Sequence, residues 1–187
     1  MREVEVKAHI RDEVELLKRL SGQGGVLGEP VTQEDTVYVK EVGSMELFLG
    51  NDHFLRIRKT PENVIFTLKY HPGRNTTAID AMPIEHEVVV SNKTELVEML
   101  KLLGFVEALS INKTRRTTHV GDYEICIDEV EGLGSFIEVE KLLEHEEETE
   151  PTIRDMKEFL GALGIAPDDI GVKRYDVQLL EREYGSI

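Results

Sequence analysis

The sequence predicts an α+β fold in which about eight β-strands, a number able to close on itself, are flanked by helices. Two observations lead there. Apolar and polar residues alternate with a period of two over most of the chain, the pattern of strands with one dry and one polar face. Between these stretches, apolar residues recur at helical spacing with legible stops. A chain of 187 residues buries a substantial core as one unit and would crowd a second, so residues 1–187 read as a single domain.

The first strand is expected over residues 3–9, where Val4 and Val6 alternate with Glu3, Glu5 and Lys7, and a helix follows over 12–20. Strands over 33–40, 54–59 and 64–70 come next. In the second of these Leu55 and Ile57 alternate with Arg56 and Arg58; in the third Phe66 and Leu68 alternate with Thr67 and Lys69. A fifth strand over 84–90 carries Glu85 and Glu87 on one parity. The second helix, 93–103, stops at Gly104, placed as a residue just past a helix end should be. Strands over 106–118, 123–129 and 135–142 complete the set, the last two with Ile125, Ile127, Ile137 and Val139 as their apolar parity. The acidic run 144–150 reads as a solvated connection. Thr149 and Pro151 sit where an N-cap and a first-turn proline would start a third helix over 153–163, and a fourth is expected over 175–182.

Composition excludes several classes of function. A formal net charge of −15 repels phosphate backbones over most of the surface, which disfavours general nucleic-acid binding and leaves room for a local basic site. The lone Cys126 cannot form an intramolecular disulfide, and no Cys/His set has zinc spacing, so a reducing cytoplasm is expected. There is no apolar leader and no run approaching ~18 apolar residues, so neither secretion nor membrane insertion is expected. His53, His71, His86 and His119 lack metal spacing and read as surface or turn residues, while Ser110 and Cys126 lack a base partner for nucleophilic catalysis. A homodimer is compatible with the sequence.

Sorting the strands by parity exposes a charged face. It holds the cations Lys7, Arg56, Arg58, Lys69, Lys113 and Arg115 and the carboxylates Glu3, Glu5, Glu85, Glu87, Asp128, Glu138 and Glu140. An ordinary solvent-facing strand looks the same taken singly, but a solubilising surface intersperses signs, whereas here basic and acidic pairs fall on different strands. Six cations suit an anion, and seven carboxylates suit a hard cation that takes oxygen ligands. The face sums to −1; two divalent ions would bring it to roughly +3, near the roughly −4 of a triphosphate. Closing the sheet with this face inward would leave the apolar parity for the helices to cover, but an open sheet with the charges in water satisfies the same pattern.

Glu3-x-Glu5-x-Lys7 is similar to the opening signature of the CYTH superfamily, the triphosphate tunnel metalloenzymes. The resemblance continues through Leu55-Arg56-Ile57-Arg58, Thr67-Leu68-Lys69, Glu85-x-Glu87 and Lys113-x-Arg115. It ends on the long match from Ile127-Asp128-Glu129-Val130-Glu131-Gly132 to Phe136-Ile137-Glu138-Val139-Glu140, with Lys173 and Tyr175 near the end of the chain. The whole looks most like class IV adenylyl cyclases and their archaeal relatives, and is related to thiamine triphosphatase. The resemblance implies an eight-stranded antiparallel β-tunnel with a charged interior, a small-molecule triphosphate substrate and Mg²⁺ or Mn²⁺ as cofactor. It implies metal-binding roles for Glu3, Glu5, Asp128, Glu138 and Glu140, and phosphate-binding roles for Lys7, Arg56, Arg58, Lys69, Lys113, Arg115 and Lys173. Glu3, Glu5 and Lys7 form the implied catalytic group; Glu85 and Glu87 either bind metal or neutralise the basic row. One departure stands out: family members often read Gln-x-Asp-x-Tyr in the second strand, whereas here Gln33 and Asp35 are followed by Val37, and the tyrosine is displaced to Tyr38. A shift by one residue turns a side chain to the other face, so Tyr38 is expected to pack rather than act.

Triphosphate chemistry asks for positioning and electrostatic stabilisation, which arginines, lysines and metal ions supply. The expected enzyme is a cyclase converting ATP to cyclic AMP and pyrophosphate. The alternatives are a hydrolase of thiamine triphosphate, nucleoside triphosphate or inorganic tripolyphosphate, and a noncatalytic polyphosphate- or nucleotide-binding module.

Overall fold

The structure is a computed structural model that describes residues 2–70, 84–144 and 148–185. His71 and the centre of the acidic run, residues 145–147, lie outside the described residues. The described strands are β1 (Arg2–His9), β2 (Val31–Val39), β3 (His53–Lys59), β4 (Val64–Tyr70), β5 (Ile84–Val89), β6 (Val106–Val120), β7 (Tyr123–Val130) and β8 (Gly134–Leu143). They form an eight-stranded antiparallel sheet in the order β1-β8-β7-β6-β2-β3-β4-β5. The helices are α1 (Glu13–Gly22), α2 (Met45–Leu49), α3 (Lys93–Leu102), α4 (Thr149–Ala162) and α5 (Tyr175–Tyr184), with a 3₁₀ turn at Pro167–Asp169. The chain divides into two compact units, one of Met1–Val31 with Lys113–Lys173 and one of Thr32–Asn112 with Arg174–Ile187.

In the first unit, Val4, Val6 and Ala8 of β1, Ile125 and Ile127 of β7 and Ile137 and Val139 of β8 are buried as the apolar parity requires. Helix α4 packs on β1 and β8 and buries Met156 and Leu160, while α1 buries Leu16 and Leu20. Each such side chain contributes about 1.5–3 kcal/mol when fully buried. The Asp12 carboxylate accepts from the Glu15 amide and starts α1. After α4 the chain returns to β1: the Gly171 amide donates to the Lys7 carbonyl, and Ile170 bridges Ala8.

In the second unit, Leu100 of α3 packs with Tyr38, Leu55 and Ile57. This places Tyr38 in the core, as its parity predicts. The end of α3 follows the expected stop: Gly104 has φ +80°, its amide donates to Lys101 and that of Phe105 to Leu100. The Lys40 ammonium donates to the Leu103 carbonyl at this negative helix end and lies 4.1 Å from the Phe105 ring centroid. Short α2 is capped by Ser44 and fixed by Asn51, whose side chain bonds the backbone at Lys40, Glu41, Leu47 and Phe48.

Two elements differ from the sequence reading. A pentapeptide such as Met45–Leu49 is too short to show helical periodicity, so α2 was not expected; its stability comes from Ser44 and Asn51. Helix α4 begins at Thr149 rather than at residue 153, with Glu148 at the cap and no side-chain cap bond, so Thr149 and Pro151 lie inside the first turn. No helix among the described residues is long and apolar enough to cross a membrane.

Candidate metal and anion site

Pairing register assigns partners to the charges that parity alone only groups. In the first unit three rows run across the strands on the charged face. Glu5 lies opposite Glu140, Glu140 opposite Glu124 and Glu124 opposite His119. The next row is Lys7, Glu138, Cys126 and Thr117; the third is His9, Phe136, Asp128 and Arg115. Like charges directly opposite one another destabilise a sheet, so the run Glu5, Glu140, Glu124 is costly unless a cation or a proton relieves it.

One carboxylate oxygen from each of Glu3, Glu5 and Glu140 lies within 4.8 Å of the others. This all-oxygen donor set fits a hard divalent ion such as Mg²⁺ or Mn²⁺. The Glu140 carboxyl is pushed up to about 8, first by burial and then by Glu138, Glu3 and Glu5, with Arg115 opposing. A second group, Glu124, Cys126 and Glu140, is equally close and shares Glu140. Burial also pushes the Cys126 thiol up to about 12 against the pull of Arg115, which leaves it inert as a nucleophile.

Glu138 and Asp128 stand apart from that group, because their oxygens are engaged by cations. The Lys7 ammonium lies 2.7 Å from Glu138 and 3.3 Å from Glu5. Arg115 forks onto Asp128 at 2.7 and 2.6 Å, also contacts Glu138, and lies 3.8 Å from Glu140. Lys113 donates to Asp128 at 2.7 Å. Burial alone would raise the Glu138 carboxyl, but Lys7, Arg115 and Lys113 outweigh it and hold it well below the ordinary range. Burial would likewise lower Lys7, yet Glu138 and Glu5 leave it raised. Lys7 and Arg115 thus stay charged beside the carboxylate row. Lys173 is exposed, two residues past the glycine bonded to Lys7.

The second unit carries the remaining predicted residues. Arg58 makes a forked pair with Asp35, both bonds at 2.7 Å, across a directly paired register position. Arg56 is held more loosely: its Nη2 donates to Thr67 at 3.2 Å, Glu87 at 3.0 Å and Glu85 at 3.4 Å. Lys69 lies 2.9 Å from Glu85, and the Thr67 hydroxyl donates to Glu87 at 2.7 Å. Glu85 and Glu87 thus lie against Arg56 and Lys69.

Sequence reasoning did not single out Asp35, Thr67 or Glu124. Each had a signal: Asp35 sits in the quoted Gln33-x-Asp35 pattern, Thr67 on the parity of Lys69, and Glu124 on the parity of Asp128.

The CYTH domain matches residues 1–173, a span that includes every predicted site residue. A protein of Methanocaldococcus jannaschii named "putative adenylate cyclase" is 35% identical over 175 residues, covering 94% of this chain and 97% of its own. Among solved structures, the PH1819 protein of Pyrococcus horikoshii superposes with a TM-score of 0.77 at 28% identity, covering 96% of this chain and 99% of that one. A Hippeastrum protein described as a putative adenylyl cyclase with a dominant triphosphatase activity shares the fold, with a TM-score of 0.63, 14% identity and coverage of 97% and 95%. The sequence match over nearly the whole length and the agreement in fold lead to one assignment: this chain belongs to the CYTH domain family.

Proposed function

We propose that the protein is a divalent-metal-dependent enzyme acting on a triphosphate, with adenylyl cyclase chemistry as the first reading. The observation that carries it is the row Glu5, Glu140, Glu124, with Glu3 beside it, next to Lys7 and Arg115, two cations paired with the buried carboxylates Glu138 and Asp128. Glu3, Glu5 and Glu140 would hold the ion. When bound, Mg²⁺ or Mn²⁺ supplies charge neutralisation of phosphate oxygens and lowers the pKa of an attacking hydroxyl or water.

The chain's own groups do the rest. Arg115 and Lys113, braced by Asp128, present fixed positive charge, and Lys7 is braced by Glu138 in the same way. Such preorganised charge stabilises a phosphoryl transition state without rearrangement at the moment of reaction. Asp128 and Glu138 act in this reading through the cations they orient, so their proposed metal roles become less direct than those of Glu3, Glu5 and Glu140. Within the second unit, Arg58, Arg56 and Lys69 are donors suited to phosphate oxygens, the arginines through forked donors.

The cyclase reading is supported by the name carried by the archaeal relative at 35% identity. Triphosphate hydrolysis is the second reading, because the same charged groups serve a water attacking the terminal phosphate. The experiment is incubation with Mg²⁺ or Mn²⁺ and ATP, thiamine triphosphate or tripolyphosphate, with every product identified. Cyclic AMP with pyrophosphate supports the first reading, and a diphosphate with phosphate the second. Binding without turnover would overturn both in favour of a binding module.

A further inference from the structure

On β3, β4 and β5 the cations Arg56 and Lys69, offered above as phosphate contacts, are met by two carboxylates to which the proposed chemistry gives no role. Glu85 bridges two cations, one oxygen 3.4 Å from Arg56 and the other 2.9 Å from Lys69. Glu87 takes the same Arg56 nitrogen at 3.0 Å and the Thr67 hydroxyl at 2.7 Å. Oxygens spread over an arginine, a lysine and a hydroxyl form the contact set of a phosphoryl group. We propose that Glu85 and Glu87 stand in for a phosphoryl group on Arg56 and Lys69, as built-in competitors that an incoming polyphosphate must displace. This inference rests on the reading of the protein as a triphosphate-binding enzyme.

Three features make this contact displaceable rather than structural. The comparison within the same strand is direct: Arg58 grips buried Asp35 through two bonds of 2.7 Å, whereas Arg56 shares one nitrogen among three acceptors at 3.0–3.4 Å. The Arg56 Nε is buried without a partner among the described residues, so the present contacts leave the guanidinium under-satisfied. Glu87 is about half exposed at 49%, and β5 is an edge strand with all six residues exposed, so water can take over the carboxylates when they leave. Screened ion pairs of this kind hold weakly.

The charge balance states the consequence. Two carboxylates offset two cations, so an anion with no more than two charges exchanges like for like, while a polyphosphate brings more charge than it displaces. The test is calorimetric titration of the full chain, wild type and Glu85→Gln/Glu87→Gln, with inorganic phosphate and with tripolyphosphate, each with Mg²⁺ and with a chelator. The amides keep the shape and lose the charge, and both anions are expected to bind about tenfold more tightly to the variant; Glu87→Gln alone should give a smaller gain. Unchanged or weaker binding of inorganic phosphate, or loss of the Mg²⁺-dependent part of tripolyphosphate binding, would overturn the inference. Failure of the functional reading looks different: wild type would not bind tripolyphosphate at all, whatever the variant does with phosphate.

Discussion

Replacing Glu140 by glutamine separates the cost of the empty carboxylate row from its use. In the metal-free protein the Glu140 carboxyl is raised from 4.5 to about 8 by burial and by Glu138, Glu3 and Glu5. The sign follows from linkage: a raised carboxyl binds more protons folded than unfolded. Its contribution is therefore fully present below about 4.5 and lost as pH rises through about 8. At 1.36 kcal/mol per pH unit the ceiling of that loss is on the order of 5 kcal/mol. Glutamine cannot ionise. Glu140→Gln is therefore expected to melt several degrees above wild type at pH 9 with chelator present, and to match it near pH 5. Adding Mn²⁺ at pH 9 should stabilise wild type and leave the variant unmoved, because the amide is a poor replacement for a charged ligand. Thermal melts at the two pH values, with chelator and with Mn²⁺, read all of this. A variant less stable than wild type at pH 9 without metal, or one keeping the full Mn²⁺ increment, would refute the reasoning.

The neighbouring variants are expected to diverge from this one. Glu138→Gln removes the buried counter-charge 2.7 Å from Lys7, while Arg115 keeps Asp128, and should cost roughly 3–5 kcal/mol in a denaturant titration; a neutral result would remove the Lys7–Glu138 ion pair from the account. Arg58→Ala removes the forked partner of the buried Asp35 carboxylate and should destabilise by about 3 kcal/mol, whereas Arg56→Ala should stay within about 1 kcal/mol, so equal losses would contradict the difference in their contacts. Tyr38→Phe should leave turnover unchanged, since the ring packs in the core; a large fall in rate would give the hydroxyl a role. Cys126, fully buried with its thiol at about 12, should resist a thiol reagent at pH 8 until the protein unfolds, and rapid native labelling would be inconsistent with that burial.

The sheet was legible because alternation fixes which side chains share a face, and eight strands emerged within two residues of their ends. Register was not legible. Glu138 and Glu140 have the same parity and nearly the same surroundings in sequence, yet one lies opposite Lys7 and the other opposite Glu5. One is thereby an ion-paired brace and the other a strained carboxylate. Asp35 escaped notice for the same reason: its importance comes from facing Arg58 across β2 and β3, a pairing separated by 23 residues in sequence. Helix α2 escaped for another, since side-chain and backbone capping rather than an amphipathic stripe maintains it.

The most direct test of the central claim is a crystal of the protein grown with Mn²⁺ and tripolyphosphate and measured at a wavelength where manganese scatters anomalously. The account requires an anomalous peak bonded to carboxylate oxygens of Glu3, Glu5 and Glu140 and sharing a phosphate oxygen. A peak elsewhere, or tripolyphosphate bound with no manganese at those three residues, would contradict it.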